Sequence, residues 1–182
     1  MSRSFPEILT PRLKLWMPPG PLGDKALDYF TVNREHLEPW EPARPEGFYT
    51  RGFWEVRLDQ NRDEYLAGTS MRLFGELRST GELVAKCNFS NVVRGAFQAA
   101  HLGYAVSASH QGQGLMLEAL SAALPFAFEH LALHRIMANY QPHNERSGRL
   151  LRRLGFVVEG YARDYLYIDG AWRDHVLTSL LR

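Results

Sequence analysis

Between residues 102 and 131 the hydrophobic pattern of the chain changes period, and that change confines the fold more than any other feature. Leu102, Tyr104 and Val106 alternate with small or polar residues, the period of a half-buried strand. Leu117, Leu120, Leu124, Phe128 and Leu131 follow at spacings of three and four, the period of a helix face. Gln111-Gly112-Gln113-Gly114-Leu115-Met116 lies between them, so a strand enters a helix through a turn holding two glycines. Glycine frees the backbone to aim several N–H groups at one point, and a helix N-terminus adds partial positive charge. Such a turn can cradle a pyrophosphate with main chain alone. An ordinary strand-to-helix connection has the same composition, so the rest of the chain has to decide.

The 182 residues, 45% hydrophobic and 12% aromatic, suffice for one soluble domain spanning residues 1–182 with a sizeable core. A net charge of +1 gives no electrostatic argument for a nucleic-acid partner. Cys87, the sole cysteine, excludes an internal disulfide and a cysteine-rich zinc site. Within the strand-like run 84–89 it reads as a small core residue. No run approaches the ~18 apolar residues of a membrane span. The N-terminus, with Pro6 and Pro11, has no charged-then-apolar leader pattern. The expectation is a cytoplasmic protein with no membrane partner.

Residues 12–17 alternate as a first strand, which Pro18-Pro19-Gly20-Pro21 breaks. Residues 22–37 read as a helix with Leu22, Ala26, Tyr29 and Phe30 on one face, and residues 51–66 as a second. Pro39-Trp40-Glu41-Pro42 and residues 45–47 mark the loop between them. Strands are predicted over 70–77, 83–92, 98–107 and 134–140, and a short helix over 144–154 that Gly155 closes. Residues 161–168 and 172–181 form a hairpin around Asp169-Gly170. Pro125 falls inside the helix after the glycine turn, where it predicts a bend. The sum is a mixed α/β domain of about seven mostly antiparallel strands and four helices. It lacks the alternation of a doubly wound dinucleotide fold, so the turn is not a nicotinamide site.

On these residues the chain resembles the GNAT superfamily of acetyl-CoA-dependent N-acetyltransferases. The family's turn signature is Gln or Arg, two residues, Gly, one residue, then Gly or Ala. Gln111 and Gly114 match it, and Met116 stands in the last place. A second family pattern is Asn, two residues, Ser, then a helix ending in Gly-Phe, and it matches at Asn144, Ser147, Gly155 and Phe156. Residues 37–42, 88–95, 135–140 with Pro142-His143-Asn144, and 169–178 resemble one branch in particular. That branch acetylates the N-terminal alanine of a small-subunit ribosomal protein. The resemblance implies a GNAT-like fold, acetyl-CoA as cosubstrate and no metal. It implies as partner the N-terminus of a small-subunit ribosomal protein, alone or in the assembling ribosomal subunit.

The residues suit that chemistry. Acetyl transfer from a thioester needs a bound acyl-CoA, a neutral amine, a donor for the oxyanion and a proton for the leaving thiolate. On the resemblance, Gln111, Gly112, Gln113, Gly114, Leu115 and Met116 hold the pyrophosphate, and Val106 and Ser107 offer main-chain partners to the pantetheine arm. Asn144 and Ser147, three apart at a helix start, face one cleft. Asn144 holds the cofactor arm, caps the helix, or both, while Ser147 donates toward sulfur. Tyr161 and Tyr165 are the next donors. Trp40 walls the acceptor or anchors its loop. Arg146, Arg149, Arg152 and Arg153 give the short helix a basic side for solvent, for the cofactor's 3′-phosphate or for ribosomal RNA. His101, Glu159, Asp164 and His175 are candidate bases, none singled out. Two other readings stay open: a CoA-binding ribosome-assembly scaffold with vestigial catalysis, and an acetyltransferase of a small amine.

Overall fold

The period change falls at the centre of the observed sheet. The computed structural model describes residues 4–182. The chain opens with β1 (Glu7–Leu9) and β2 (Leu13–Trp16), followed by α1 (Gly23–Val32), α2 (Arg34–Leu37) and α3 (Arg51–Leu66). A meander of β3 (Met71–Leu77), β4 (Leu83–Val93) and β5 (Ala99–Val106) leads into α4 (Leu115–His130). Then come β6 (Arg135–Met137), α5 (Glu145–Arg153), β7 (Val157–Ile168) and β8 (Ala171–Leu181). The strands make one eight-stranded sheet in the order β1-β2-β3-β4-β5-β6-β8-β7. Among the described residues only β5 and β6 run parallel, because α4 is the crossover between them.

Alternation along the strands loads both faces of the sheet. Leu13, Leu15, Leu73, Phe89 and Leu102 meet Leu120, Leu124 and Phe128 of α4 on one face. Phe74 and Leu83 meet Tyr29, Phe30, Phe48, Trp54 and Leu58 around α1 and α3 on the other. Each fully buried leucine of this kind is worth about 2 kcal/mol of transfer free energy. Cys87 is buried and free within the first cluster, as its neighbours predict.

The counts among the described residues, eight strands and five helices, exceed the expected seven and four for local reasons. β1 arises where short-range pattern is weak, and it pairs only with β2. The helix expected over 22–37 breaks at Asn33, whose backbone turns to φ −99, ψ 13. The side chain of this buried residue is engaged elsewhere, as described below. The strand expected over 134–140 hydrogen-bonds as a strand only to Met137, with a single bridge further on at Tyr140. The last hairpin begins earlier than predicted, at Val157, because β7 is the sheet edge and leaves Val157 and Val158 exposed. At its tip Asp169 and Gly170 both take positive φ, 48° and 71°, the tight turn their sequence favours. Pro125 lies inside α4, which continues through it to His130.

One irregularity positions everything that follows. β5 pairs with β6 over Ala99–His101 alone. Past that point the chain after β6 stays with β8: Ala138 N–H donates to Thr178 C=O at 3.1 Å, and Tyr140 N–H to Val176 C=O at 3.2 Å. β5 continues to Val106 with no β6 partner, so the sheet splits open beside the glycine turn.

Candidate active site

The opening exposes a strand edge. Ser107 N–H and Oγ–H both donate to Val84 C=O, at 2.8 and 3.2 Å. By antiparallel alternation, the N–H and C=O groups of Tyr104 and Val106 therefore point away from β4, into the opening. Val106 stands where main-chain contacts to a bound arm were expected, whereas Ser107 directs its donors into the sheet. His36 of α2 reaches in and places Nε2 3.1 Å from Val106 C=O.

Beyond Val106 the chain makes the turn. Gly112 and Gly114 both sit in the left-handed region, φ +75 and +76. A Cβ on Gly112 would meet nothing within 4 Å, and one on Gly114 only Arg12 Nη2 at 3.7 Å. Gly114 is the N-cap of α4, and among the described residues no side chain caps that helix. The first N–H groups of α4 have no intrahelical acceptor and so are left for an outside one. Arg12 stands beside them, bonded to Gln113 C=O at 2.9 Å and to Glu118 at 2.6 Å. Gln113 Nε2–H donates to Ser109 C=O. Leu115 and Met116 turn inward and are buried in the core under α4. Met116, where the family pattern has a small residue, therefore leaves the mouth of the turn clear. An uncapped helix end, two left-handed glycines and an adjacent guanidinium form a site that fits a pyrophosphate.

The second wall is α5. Asn144 caps it, with Oδ1 accepting Ser147 N–H at 3.1 Å. Ser147 Oγ lies 2.5 Å from Tyr104 Oη, so one hydrogen bond spans the opening from α5 to β5. Burial pushes the Tyr104 phenol up to about 12, against the opposing bond from Ser147. Gln111 ties the turn to both walls: Oε1 accepts Arg146 Nη1–H at 2.5 Å, and Nε2 lies 3.1 Å from His36 Nε2. Trp40 is exposed, 5.3 Å from the His143 ring, and Gln141 Nε2–H donates to Pro39 C=O at 3.3 Å. The loop carrying Trp40 thus meets the chain that enters α5. Its base is pinned by Glu41, which pairs with Lys86 at 2.5 Å and with Arg44.

The other candidates disperse. His101 ends the paired part of β5; burial lowers its imidazole pKa, and its Nδ1 has no partner among the described residues. Glu159 grips Arg135 at 2.6 and 2.7 Å, at the closed end of the β5–β6 pair. Asp164 lies at an irregularity of β7, its N–H bonded to Asp174. His175 is buried in β8, Nδ1 against Arg173 C=O at 2.9 Å. Tyr161 Oη–H donates to Asp174 on the exposed edge, and Tyr165 Oη accepts from Asn139. Arg149 pairs with Glu145, while Arg152 and Arg153 remain exposed in the last turn of α5. Among the described residues no three His, Cys, Asp or Glu side chains gather as metal ligands do.

Four residues at this site carry no signal in the local sequence pattern. Tyr104 reads only as a strand residue until the topology sets it against α5. Asn33 Oδ1 accepts Ala108 N–H at 2.8 Å while Nδ2–H donates to Tyr29 C=O at 2.8 Å, holding the start of the turn from across the sheet. His36 and Arg12 reach the site from 70 and 101 positions away, with bonds to Val106 and Gln113.

A split mixed sheet, with a backbone anion cradle on one side and hydroxyl groups across the gap, suits an acyl-CoA-dependent transferase. Residues 22–157 match the acetyltransferase (GNAT) domain, and the chain belongs to that family. It is 51% identical, over 154 residues, to the [ribosomal protein uS5]-alanine N-acetyltransferase of Escherichia coli (strain K12), spanning 84% of this chain and 79% of that one. The crystal structure of ribosomal-protein-S5-alanine acetyltransferase from Vibrio fischeri superposes with a TM-score of 0.92 at 35% identity, over 97% and 96% of the two chains. Mycobacterium smegmatis RimJ in complex with CoA-disulfide gives 0.86 at 31% identity, over 99% and 88%.

Proposed function

We propose that this chain transfers the acetyl group of acetyl-CoA to the N-terminal alanine α-amine of the small-subunit ribosomal protein uS5. The observation that carries this is the 51% identity, across 84% of the chain, to an enzyme named for that reaction. The site supports it. The turn from Gln111 to Met116 and Arg12 receive the pyrophosphate, and the Val106 edge takes the amides of the pantetheine arm in place of a missing strand. Asn144 keeps its Nδ2–H free for that arm while Oδ1 caps α5. Ser147 protonates the leaving sulfur, and Trp40 lines the approach of the acceptor. The acceptor is met in the cytoplasm, where subunits assemble.

Among the described residues no carboxylate is hydrogen-bonded to Tyr104, Ser147 or Val106, which fits an α-amine. With a pKa near 7.8, roughly one α-amine in seven is neutral at pH 7, against about one lysine in 2,500. That gap is roughly 3.5 kcal/mol of proton removal that the protein does not have to supply. Water in the opening is then a sufficient proton acceptor. The test is a pH–rate profile on a peptide with an N-terminal alanine and an internal lysine, product sites being mapped by mass. Expected is modification of the alanine alone, with kcat/KM levelling off near pH 8. Lysine modification, or a rate still climbing beyond about pH 9, would overturn the reading. Acetyl-CoA binding without turnover would instead select a scaffold.

A further inference from the structure

A serine that protonates a thiolate unaided becomes an alkoxide, a stronger base than the thiolate it has quenched. The transfer then runs uphill. Ser147 has company, however. Its Oγ lies 2.5 Å from Tyr104 Oη, at the short end of the range for O–H···O bonds. The two hydroxyls come from opposite walls of the split, β5 and the first turn of α5. Asn144 fixes that turn by accepting Ser147 N–H. If Tyr104 donates to Ser147, the single proton of Ser147 is left free to point into the opening.

We propose that Tyr104 resupplies the proton that Ser147 gives to the leaving thiolate, the two hydroxyls forming a relay; this rests on the reading of Ser147 as proton donor. The amine nitrogen bonds to the thioester carbon, and the C–S bond breaks with its electron pair on sulfur. Ser147 Oγ–H passes to sulfur as Tyr104 Oη–H passes to Oγ, so the charge comes to rest on the phenolate. The nitrogen sheds its extra proton to water. Water returns a proton to Tyr104 once the thiol has left. One amine and one thioester become one amide and one thiol, and nothing is oxidised or reduced. A phenolate spreads its charge over a ring, which an alkoxide cannot do, so the transfer costs less than through Ser147 alone, and the proton that water returns to Tyr104 completes it. Burial raises the phenol to about 12, so Tyr104 rests protonated and its phenolate is quickly reprotonated. Acting through Ser147, Tyr104 is a positioning residue for that proton.

Tyr104→Phe removes only Oη and keeps the ring packed against the core. Its kcat should fall about 10²-fold with acetyl-CoA KM nearly unchanged. In mixed H2O/D2O the parent's kcat should vary with deuterium content along a curve, two protons being in flight, and that of Tyr104→Phe along a line. Difluorotyrosine at position 104, a more acidic phenol, should keep the curve and shift the pH dependence of kcat. Three results would overturn the relay. If Tyr104→Phe stays within about twofold of the parent while Ser147→Ala loses about 10²-fold, Ser147 acts alone and its own reading stands. If both stay within about twofold, the reading of Ser147 falls as well. If Tyr104→Phe is slow but its isotope dependence stays curved, the second proton comes from elsewhere.

Discussion

At the scale of single residues, Gly114 shows how a substitution can answer two questions at once. Its φ of +76 means any side chain strains the backbone, by about 1–2 kcal/mol, whatever lies near it. A loss of cofactor binding in Gly114→Ala therefore needs a control carrying the same strain. Gly95 is such a residue: φ is +70, a Cβ there meets nothing within 4 Å, and it lies at the other end of β5, ~25 Å from the turn. Both variants should lose about 1–2 kcal/mol in a urea melt. Calorimetry should show weakened acetyl-CoA binding for Gly114→Ala alone, and equal affinities would remove the cradle. The left-handed turn at Gly112 and Gly114 and the cap that Asn144 makes on Ser147 N–H were legible in sequence because they depend on near neighbours. Tyr104, Asn33, His36 and Arg12 were not, since each acquires its role from a partner at least 43 positions away.

At the scale of elements, α5 is too short to hold itself and depends on its seat. Its nine residues bury only Gly148 and Leu151. A Cβ on Gly148 would come within 2.9 Å of Tyr140 Cζ and Oη, so this glycine is what lets α5 press close to the chain after β6. On an exposed helix Gly→Ala gains about 1 kcal/mol. Here Gly148→Ala should lower the melting temperature, and it should lower kcat by pushing Ser147 away from Tyr104. A higher melting temperature would mean that Tyr140 swings aside without cost. The elements themselves were mostly legible: the caps at Asn144 and Gly155 and the Asp169-Gly170 turn are local chemistry and fall where predicted. The break at Asn33 was not, because helical pattern runs on through it and a contact to Ala108, across the sheet, wins. The short β6 was missed for a similar reason: residues 138–140 look like strand but follow only one neighbour.

At the scale of the whole molecule, the loop bearing Trp40 is fastened to the sheet by one buried carboxylate between two cations. Burial alone would raise the pKa of Glu41, but Lys86 and Arg44 outweigh it and hold it below the ordinary range. The unfolded chain then takes up this proton first as the pH falls, from about 4.3 downward, and the stabilisation is lost through that window. Glu41→Gln should flatten this part of the stability–pH curve. It should also cost about 3–5 kcal/mol at pH 7, since it strands two cations. Urea melts at neutral and acid pH measure both effects, and an unchanged acid slope would exclude Glu41 as its source. The mixed α/β class was legible from the order of elements. The split in the sheet was not, since nothing in β5 announces that its neighbour will leave after three residue pairs. That departure sets an unusual clock in the protein's interior. Central strands ordinarily give up their amide hydrogens to deuterium last of all. Here Tyr104 and Val106, in the middle of an eight-stranded sheet, should exchange as fast as a frayed margin, and should slow to the pace of their neighbours once acetyl-CoA lies along them.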